Sequence, residues 1–308
     1  MKRLCLILLQ FIIAMSAICQ ASSWGIISLC CVHLRQEPRH SAELITQAVM
    51  GTPVMVLDTM NDWYYIETPE GYKSWVHPQS IALKSQAQMD KWRNSTRYIY
   101  TEMNGYAYNA PHNSSTPISD MVLGCIVEAT GNVQDGYIEI VTPDGRMGYV
   151  KDKEVRELSM WSQQEFNVER LVNEAFKMMG TTYLWGGTST KGVDCSGFSK
   201  ILYYSQGIII RRDASQQATT GDVVDHTDYR NFRCGDLLFF GNDKGRVTHV
   251  AIYLNNGQYI HSSGRVKINS VIPGDNLYNG LKVIAARRII TAVDSDGIRS
   301  LRQHPWFF

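Results

Sequence analysis

Trp63-Tyr-Tyr-Ile-Glu-Thr-Pro-Glu-Gly-Tyr-Lys-Ser-Trp-Val76 returns 74 positions later as Tyr137-Ile-Glu-Ile-Val-Thr-Pro-Asp-Gly-Arg-Met-Gly-Tyr-Val150. Ile66, Thr68, Pro69, Gly71 and Val76 are identical to Ile140, Thr142, Pro143, Gly145 and Val150. In each copy a proline presets φ and a glycine two positions on tolerates φ > 0, so each reads strand, turn, strand. β-rich runs precede the copies at 53–57 and 121–129. Several short strands with regular turns predict a small barrel, and the duplication predicts two, at 24–85 and 95–158. Residues 84–94 are polar and read as a linker. Beyond residue 159 the period changes. Val168, Leu171, Val172, Ala175, Phe176 and Met179 fall on one helical stripe. Ser162 and Glu165 have capping-box spacing and Gly180 suits the stop. Residues 195–204 read as a second helix, and 236–240, 248–254, 258–262 and 283–289 as strands. Helices followed by consecutive strands predict an α+β domain with an antiparallel sheet over 162–290, ahead of a tail at 291–308. The fold class is multidomain: two small all-β barrels, then one α+β domain.

Composition narrows the function classes. The 308 residues carry 30 Lys plus Arg against 29 Asp plus Glu, a net charge of +1, without the basic excess of a general nucleic-acid binder. With 44% hydrophobic and 19% charged residues the chain is a folding one. Lys2 and Arg3 precede an apolar run at 4–18, broken by Gln10 and Ser16, with small residues following. This fits a secretory signal peptide over 1–21, being shorter than the ~20 residues of a membrane span. The competing reading is an anchor, including a lipoprotein modified at Cys19, and only that reading brings a membrane into play. The mature chain is then periplasmic or extracellular. It retains Cys30, Cys31, Cys125, Cys195 and Cys234; five thiols leave at least one unpaired within a monomer, and Cys30, Cys31, Cys125 and Cys234 read as small buried hydrophobes. No metal spacing or phosphate loop stands out, so no cofactor is expected.

The chemistry lies in Tyr183-Leu-Trp-Gly-Gly187 and Gly192-Val-Asp-Cys-Ser-Gly-Phe198. Asp194 suits a helix N-cap, which puts Cys195 in the first turn. Free N–H groups and the helix dipole there favour a thiolate, lower its pKa and can stabilise an oxyanion. Small Ser196 and Gly197 leave room for substrate. A base is available in Thr248-His-Val-Ala-Ile-Tyr-Leu254 and Tyr259-Ile-His-Ser-Ser263. His249, Ala251 and Tyr253 share one strand face, and His261 lies on a face with Tyr259. The intervening Asn255-Asn-Gly257 decides whether the histidines meet. A two-residue loop sets them on opposite faces. A three-residue loop, with Gly257 left-handed, pairs Ala251 with His261 and makes His249 its diagonal neighbour at roughly 7–8 Å by Cβ. The three-residue loop is the expectation.

Together with Cys234-Gly-Asp-Leu-Leu-Phe-Phe240, these motifs resemble the NlpC family of papain-like cell-wall cysteine peptidases over about 165–290. The repeats resemble bacterial SH3 domains, and the whole arrangement is similar to the dipeptidyl-peptidase VI group. The resemblance implies cleavage of the γ-D-glutamyl bond to a diamino acid in peptidoglycan stem peptides, on fragments beginning with L-Ala. It implies Cys195 as nucleophile, His249 as general base, His261 as its orienting partner and Tyr183 as oxyanion donor; Tyr183 also reads as core packing beside Trp185. Candidate substrate contacts are Asp194, Ser196, Trp185, Asp213 and Ser215, the last two within Arg212-Asp-Ala-Ser-Gln-Gln217. Asp213 would pair with the free amine of L-Ala, or simply cap a turn. Glu43 and Tyr72 of the first barrel would close one end of the groove. Two other readings stand: an endopeptidase acting on intact peptidoglycan, and a wall-binding protein with an inert peptidase domain.

Overall fold

The computed structural model describes residues 24–242 and 244–308; the leader, including Cys5, Cys19 and any cleavage or lipid site, lies outside the described residues. Seven strands between Trp24 and Lys84 form one antiparallel sheet, ordered 3-2-6-5-4-1-7 along their own segment. The seven strands between Arg97 and Glu157 repeat the same order. The duplicated stretch builds the same hairpin in each, Trp63–Glu67 on Lys73–Val76 and Tyr137–Val141 on Met147–Lys151. At the turns, Gly71 and Gly145 adopt φ of 78° and 90° and donate back to the Thr68 and Thr142 carbonyls. The inward residues Ile66, Val76, Ile140 and Val150 are fully buried.

Three local expectations change. The run 121–129 is split between the strands Pro117–Val122 and Ile126–Gln134, because Gly124 turns the chain at φ 92° and bonds to the Tyr100 carbonyl. Within 84–94, the expected linker, lies a helix, Gln86–Asn94, closed by a Ser85/Gln88 capping box. Its average polarity conceals Met89 and Trp92, one turn apart and both buried. The Ser162/Glu165 box does not form. Ser162 ends a short turn, Leu158–Trp161, and the main helix is Val168–Lys177, where Asn167 accepts from the Arg170 N–H. Leu171, Ala175 and Met178 make its buried line at i, i+4 and i+7, while Phe176 and Met179 face solvent.

The third domain is built on a six-stranded antiparallel sheet ordered Asp222–Val223, Val283–Arg288, Leu237–Gly241, Val247–Tyr253, Gln258–Ser263 and Arg265–Ser270. Its helix Cys195–Tyr204 buries Phe198, Ile201, Leu202 and Tyr203, each contributing about 1.5–3 kcal/mol relative to exposure. Val250, Ile252, Leu254 and Ile260 meet that helix side, and Ala251, Tyr253 and Tyr259 fill a second core on the opposite face. Both faces being covered, the strand register is strongly specified. The strands Ile208–Ile210 and Ile298–Ser300 pair and carry the chain end back to the first barrel. There Phe307 joins Trp24, Met89, Trp92, Ile99, Leu158 and Ile209 in one cluster drawn from all three domains and the connecting helix.

Candidate active site

Asp194 caps the Cys195–Tyr204 helix as its sequence position implies, accepting from the Gly197 N–H at 2.7 Å. The same carboxylate accepts from Gly186 N–H (3.0 Å) and twice from Arg212, at 2.6 and 3.2 Å. Arg212 is fully buried; its remaining donors reach Ser196 Oγ (2.9 Å) and, across the domain boundary, Thr46 Oγ1 of the first barrel (2.8 Å). A buried carboxylate is tolerated because every lone pair it exposes is matched. Asp194 and Ser196 thus hold the Cys195–Tyr204 helix to the barrel through Arg212. Gly197 does not make room for substrate. A Cβ there would lie 1.9 Å from the Gly187 carbonyl, so its smallness permits close backbone approach. At Gly186, with φ 78°, a Cβ would strike the Leu44 carbonyl at 2.4 Å, and the first barrel packs directly on this turn.

Cys195 lies at the helix start, against the strand that carries His249. The backbone N–H groups of Val250 and Ser196 reach its sulfur and pull its pKa down, but burial, then the neighbouring Asp194 charge, push it up overall. The expected net lowering is reversed: desolvation outweighs the helix start, and the proton rests on sulfur.

The hairpin has the three-residue loop Asn255-Asn256-Gly257, with Gly257 at φ 78° and Asn256 also left-handed at 52°. Ile252 faces Ile260 and Tyr253 faces Tyr259, the register in which Ala251 and His261 are the next positions along the two strands. His249 Nε2 lies 2.6 Å from His261 Nδ1, and His261 Nε2 lies 2.9 Å from Asn269 Oδ1. Burial, then the neighbouring His261 and Lys267, push His249 down to about 3. Burial likewise takes His261 down to about 4, against the Asn269 hydrogen bond that raises it. Both rings are neutral at pH 7.

A groove of about 550 Å³ opens over Cys195. Glu43, Tyr72, Tyr183, Trp185, Asp194, Cys195, Ser196, Asp213 and Ser215 all line it; His249 precedes Val250, whose backbone N–H reaches the sulfur, and His261, on the next strand, is fully buried. Tyr183 is half-buried, and burial with nearby Cys195 and Asp194 pushes it up to about 12, so its hydroxyl stays a donor. Tyr72 OH reaches Asp213 Oδ1 at 3.4 Å, and Trp185 Nε1 donates to Glu43 Oε1 at 2.7 Å. Asp213 also caps the turn Ala214–Gln217 with Gln216. The five cysteines of the described chain are free thiols: Cys30 and Cys125 are buried, and Cys31 and Cys234 are only partly so. Sequence reasoning left Arg212 without a role and passed over Asn269. Asn269 sits opposite Tyr259, two residues off register from His261, which is also the offset of His249 on the other side. The alternation of the Arg265–Ser270 strand would have revealed it had that strand been read.

Residues 180–282 match the NlpC/P60 family, and residues 32–82 match the bacterial SH3 domain. The chain is 31% identical to the gamma-D-glutamyl-L-lysine dipeptidyl-peptidase of Bacillus cereus, over 75% of this chain and 71% of that protein. It is 29% identical to dipeptidyl-peptidase 6 of Lysinibacillus sphaericus, over 80% of this chain and 91% of that one. The crystal structure of an NlpC/P60 family protein from Bacillus cereus superposes with a TM-score of 0.73 at 23% identity, covering 86% of this chain and 99% of the other, and shares the fold.

Proposed function

The chain belongs to the NlpC/P60 family of cysteine peptidases, and on that premise we propose that it hydrolyses the γ-D-glutamyl–diamino acid bond of peptidoglycan stem peptides, releasing L-Ala-D-Glu from fragments with a free N-terminal L-Ala. The observation that carries the reading is the groove, which runs from Cys195 to a wall contributed by the first barrel through Glu43 and Tyr72.

The chemistry follows from the groups present. His249 takes the Cys195 thiol proton as the sulfur attacks the γ-carbonyl carbon of D-glutamate. The carbonyl oxygen becomes an oxyanion, met by the Tyr183 hydroxyl and the backbone N–H groups of the helix start. Protonated His249 then gives its proton to the departing amine of the diamino acid. This leaves a thioester between L-Ala-γ-D-Glu and Cys195. Water, deprotonated by His249, attacks the thioester and frees the dipeptide and the thiol. The imidazolium formed in each half-reaction is held by His261. At the far end, the ammonium of L-Ala meets Asp213, with Tyr72 and Glu43 beside it, a charge-assisted contact that an acylated amine cannot make. Intact wall, in which that nitrogen is an amide, is excluded by the same closed end. Wall fragments of this kind arise outside the cytoplasmic membrane, which together with the basic and apolar leader supports export to the periplasm or beyond.

The test compares wild type with Cys195→Ala on L-Ala-γ-D-Glu-L-Lys, its N-acetyl form and whole sacculi. Release of L-Ala-D-Glu from the free peptide by wild type alone is expected, with the N-acetyl peptide cut at least ~100-fold more slowly, the loss of one buried charge pair. Equal cutting of both peptides removes the free-amine requirement, and solubilisation of sacculi favours the endopeptidase. No hydrolysis of any of the three leaves the inert, wall-binding reading.

A further inference from the structure

We propose that Asn269 is a positioning residue that sets the direction of the proton chain through His261 and His249, leaving Nδ1 of His249 as the one bare nitrogen available to Cys195. The argument starts from Leu277. Its backbone carbonyl can only accept a hydrogen bond, and Asn269 Nδ2 lies 2.6 Å from it. That contact fixes which end of the amide is nitrogen. The other end, Oδ1, therefore faces His261 Nε2 at 2.9 Å. An amide oxygen can only accept, so His261 must carry its proton on Nε2. A neutral imidazole protonated at Nε2 has a bare Nδ1, and this nitrogen lies 2.6 Å from His249 Nε2. Two bare nitrogens cannot share a hydrogen bond, so His249 carries its proton on Nε2 as well. Its lone pair is then on Nδ1.

Each link is one-way, and the direction is imposed at the Asn269 end. Were His261 free to hold its proton on Nδ1, it would donate to His249 Nε2, and His249 would carry its own proton on the nitrogen that must receive the one from sulfur. The base would then be blocked without any atom leaving its place. With Asn269 present, the proton from Cys195 enters Nδ1, and the imidazolium so formed keeps its Nε2–H directed at the His261 lone pair. Asn269 is not among the residues that line the groove; it acts through His261. The groups around the pair are Phe240 and Tyr259, which pack on the two rings, and Lys267, the cross-strand neighbour of His261. None of these accepts a hydrogen bond from His261 in the structure, so the direction is assigned to Asn269.

The proposal rests on the cysteine-peptidase reading for what the base does, but the tautomers themselves can be read without substrate. Histidine-15N-labelled wild-type protein at pH 7.5, observed through long-range 1H–15N couplings, should show both His249 and His261 as Nε2–H tautomers. An Nδ1–H form of either ring in wild type overturns the proposal, whatever becomes of any variant. In Asn269→Ala, His261 should lose its single tautomer and populate the Nδ1–H form. On L-Ala-γ-D-Glu-L-Lys, kcat should fall about 10–100-fold, the scale of loss when the partner that orients a metal-bound histidine is removed, with KM retained within about twofold. Unchanged kcat in a folded Asn269→Ala also overturns it. Failure of the wild type to cut any peptide would count against the proposed function, while leaving the tautomer result to be judged on its own.

Discussion

His249 and His261 are neutral because the fold has taken them out of water, and that has a cost on the acid side. A histidine in the unfolded chain gains its proton near pH 6.5, whereas these two, mainly through burial, hold off to about 3 and about 4. Between those limits the unfolded state binds more protons than the folded one, so stability rises with pH. It is whole above about 6.5 and drains away as pH falls toward 4. The urea midpoint of wild type should therefore be lower at pH 5 than at pH 7.5. A His249→Gln, His261→Gln double variant, which has no imidazole to charge, should show a clearly smaller drop between the same two conditions. An equal drop in both proteins would place the acid sensitivity elsewhere. Arg212 shows the opposite strategy at the same scale: its charge is kept but surrounded, with Asp194 beside it and Ser196 and Thr46 taking its other donors.

At the scale of elements, the site depends on a count of loop residues. Leu254 follows the strand Val247–Tyr253 and bonds to Gln258 of the strand Gln258–Ser263, so the loop is Asn255, Asn256 and Gly257, and its three residues set His261 on the His249 face. Deleting Asn256 leaves a two-residue loop and moves the following strand by one position, which turns every side chain on it to the other face. Circular dichroism should still report a β-containing fold, while release of L-Ala-D-Glu should drop to the level of Cys195→Ala. Activity near wild type would mean that register does not position the pair. This loop was readable in advance because its turn chemistry is local. So was the Cys195–Tyr204 helix, whose cap and apolar spacing lie within a dozen residues. The Gln86–Asn94 helix was half-readable: its capping box is in the sequence, but the reason it forms in place is that Met89 and Trp92 meet Trp24, Ile99 and Phe307. Asn269 and the role of Arg212 were not readable, since each depends on what stands opposite it: His261 on a neighbouring strand, and Thr46 in another domain. The thiol was misjudged for the same reason. The helix start is written in the sequence, and the burial that opposes it is a property of the assembled groove.

For the molecule as a whole, the question is how the first barrel stays close enough to complete a groove whose Cys195 belongs to another domain. Its front edge contributes Glu43 and Tyr72; behind them the turn after Thr68 is held from two sides. Lys200, on the nucleophile's helix, lies 3.1 Å from Glu70, and His304 of the tail lies 2.9 Å from the Pro69 carbonyl. Farther back, Phe307 fills the cluster where Trp24, Met89, Ile99 and Ile209 converge. The tail is thus the clamp on a turn whose far side presents Tyr72 to Asp213. Phe307→Ala removes a fully buried ring at that junction, a change that costs about 3–5 kcal/mol of stability in a packed core. Its effect on catalysis should be selective. Cys195, His249 and His261 lie within the third domain and keep their geometry, so kcat should be retained, while KM for L-Ala-γ-D-Glu-L-Lys rises as the barrel loosens. The preference for the free peptide over its N-acetyl form should shrink with it, because the wall proposed to reject the acetyl group is the part that moves. Steady-state kinetics on the two peptides, with thermal unfolding in parallel, check both halves. A large fall in melting temperature with KM and selectivity untouched would show that the tail stabilises the protein without governing the groove.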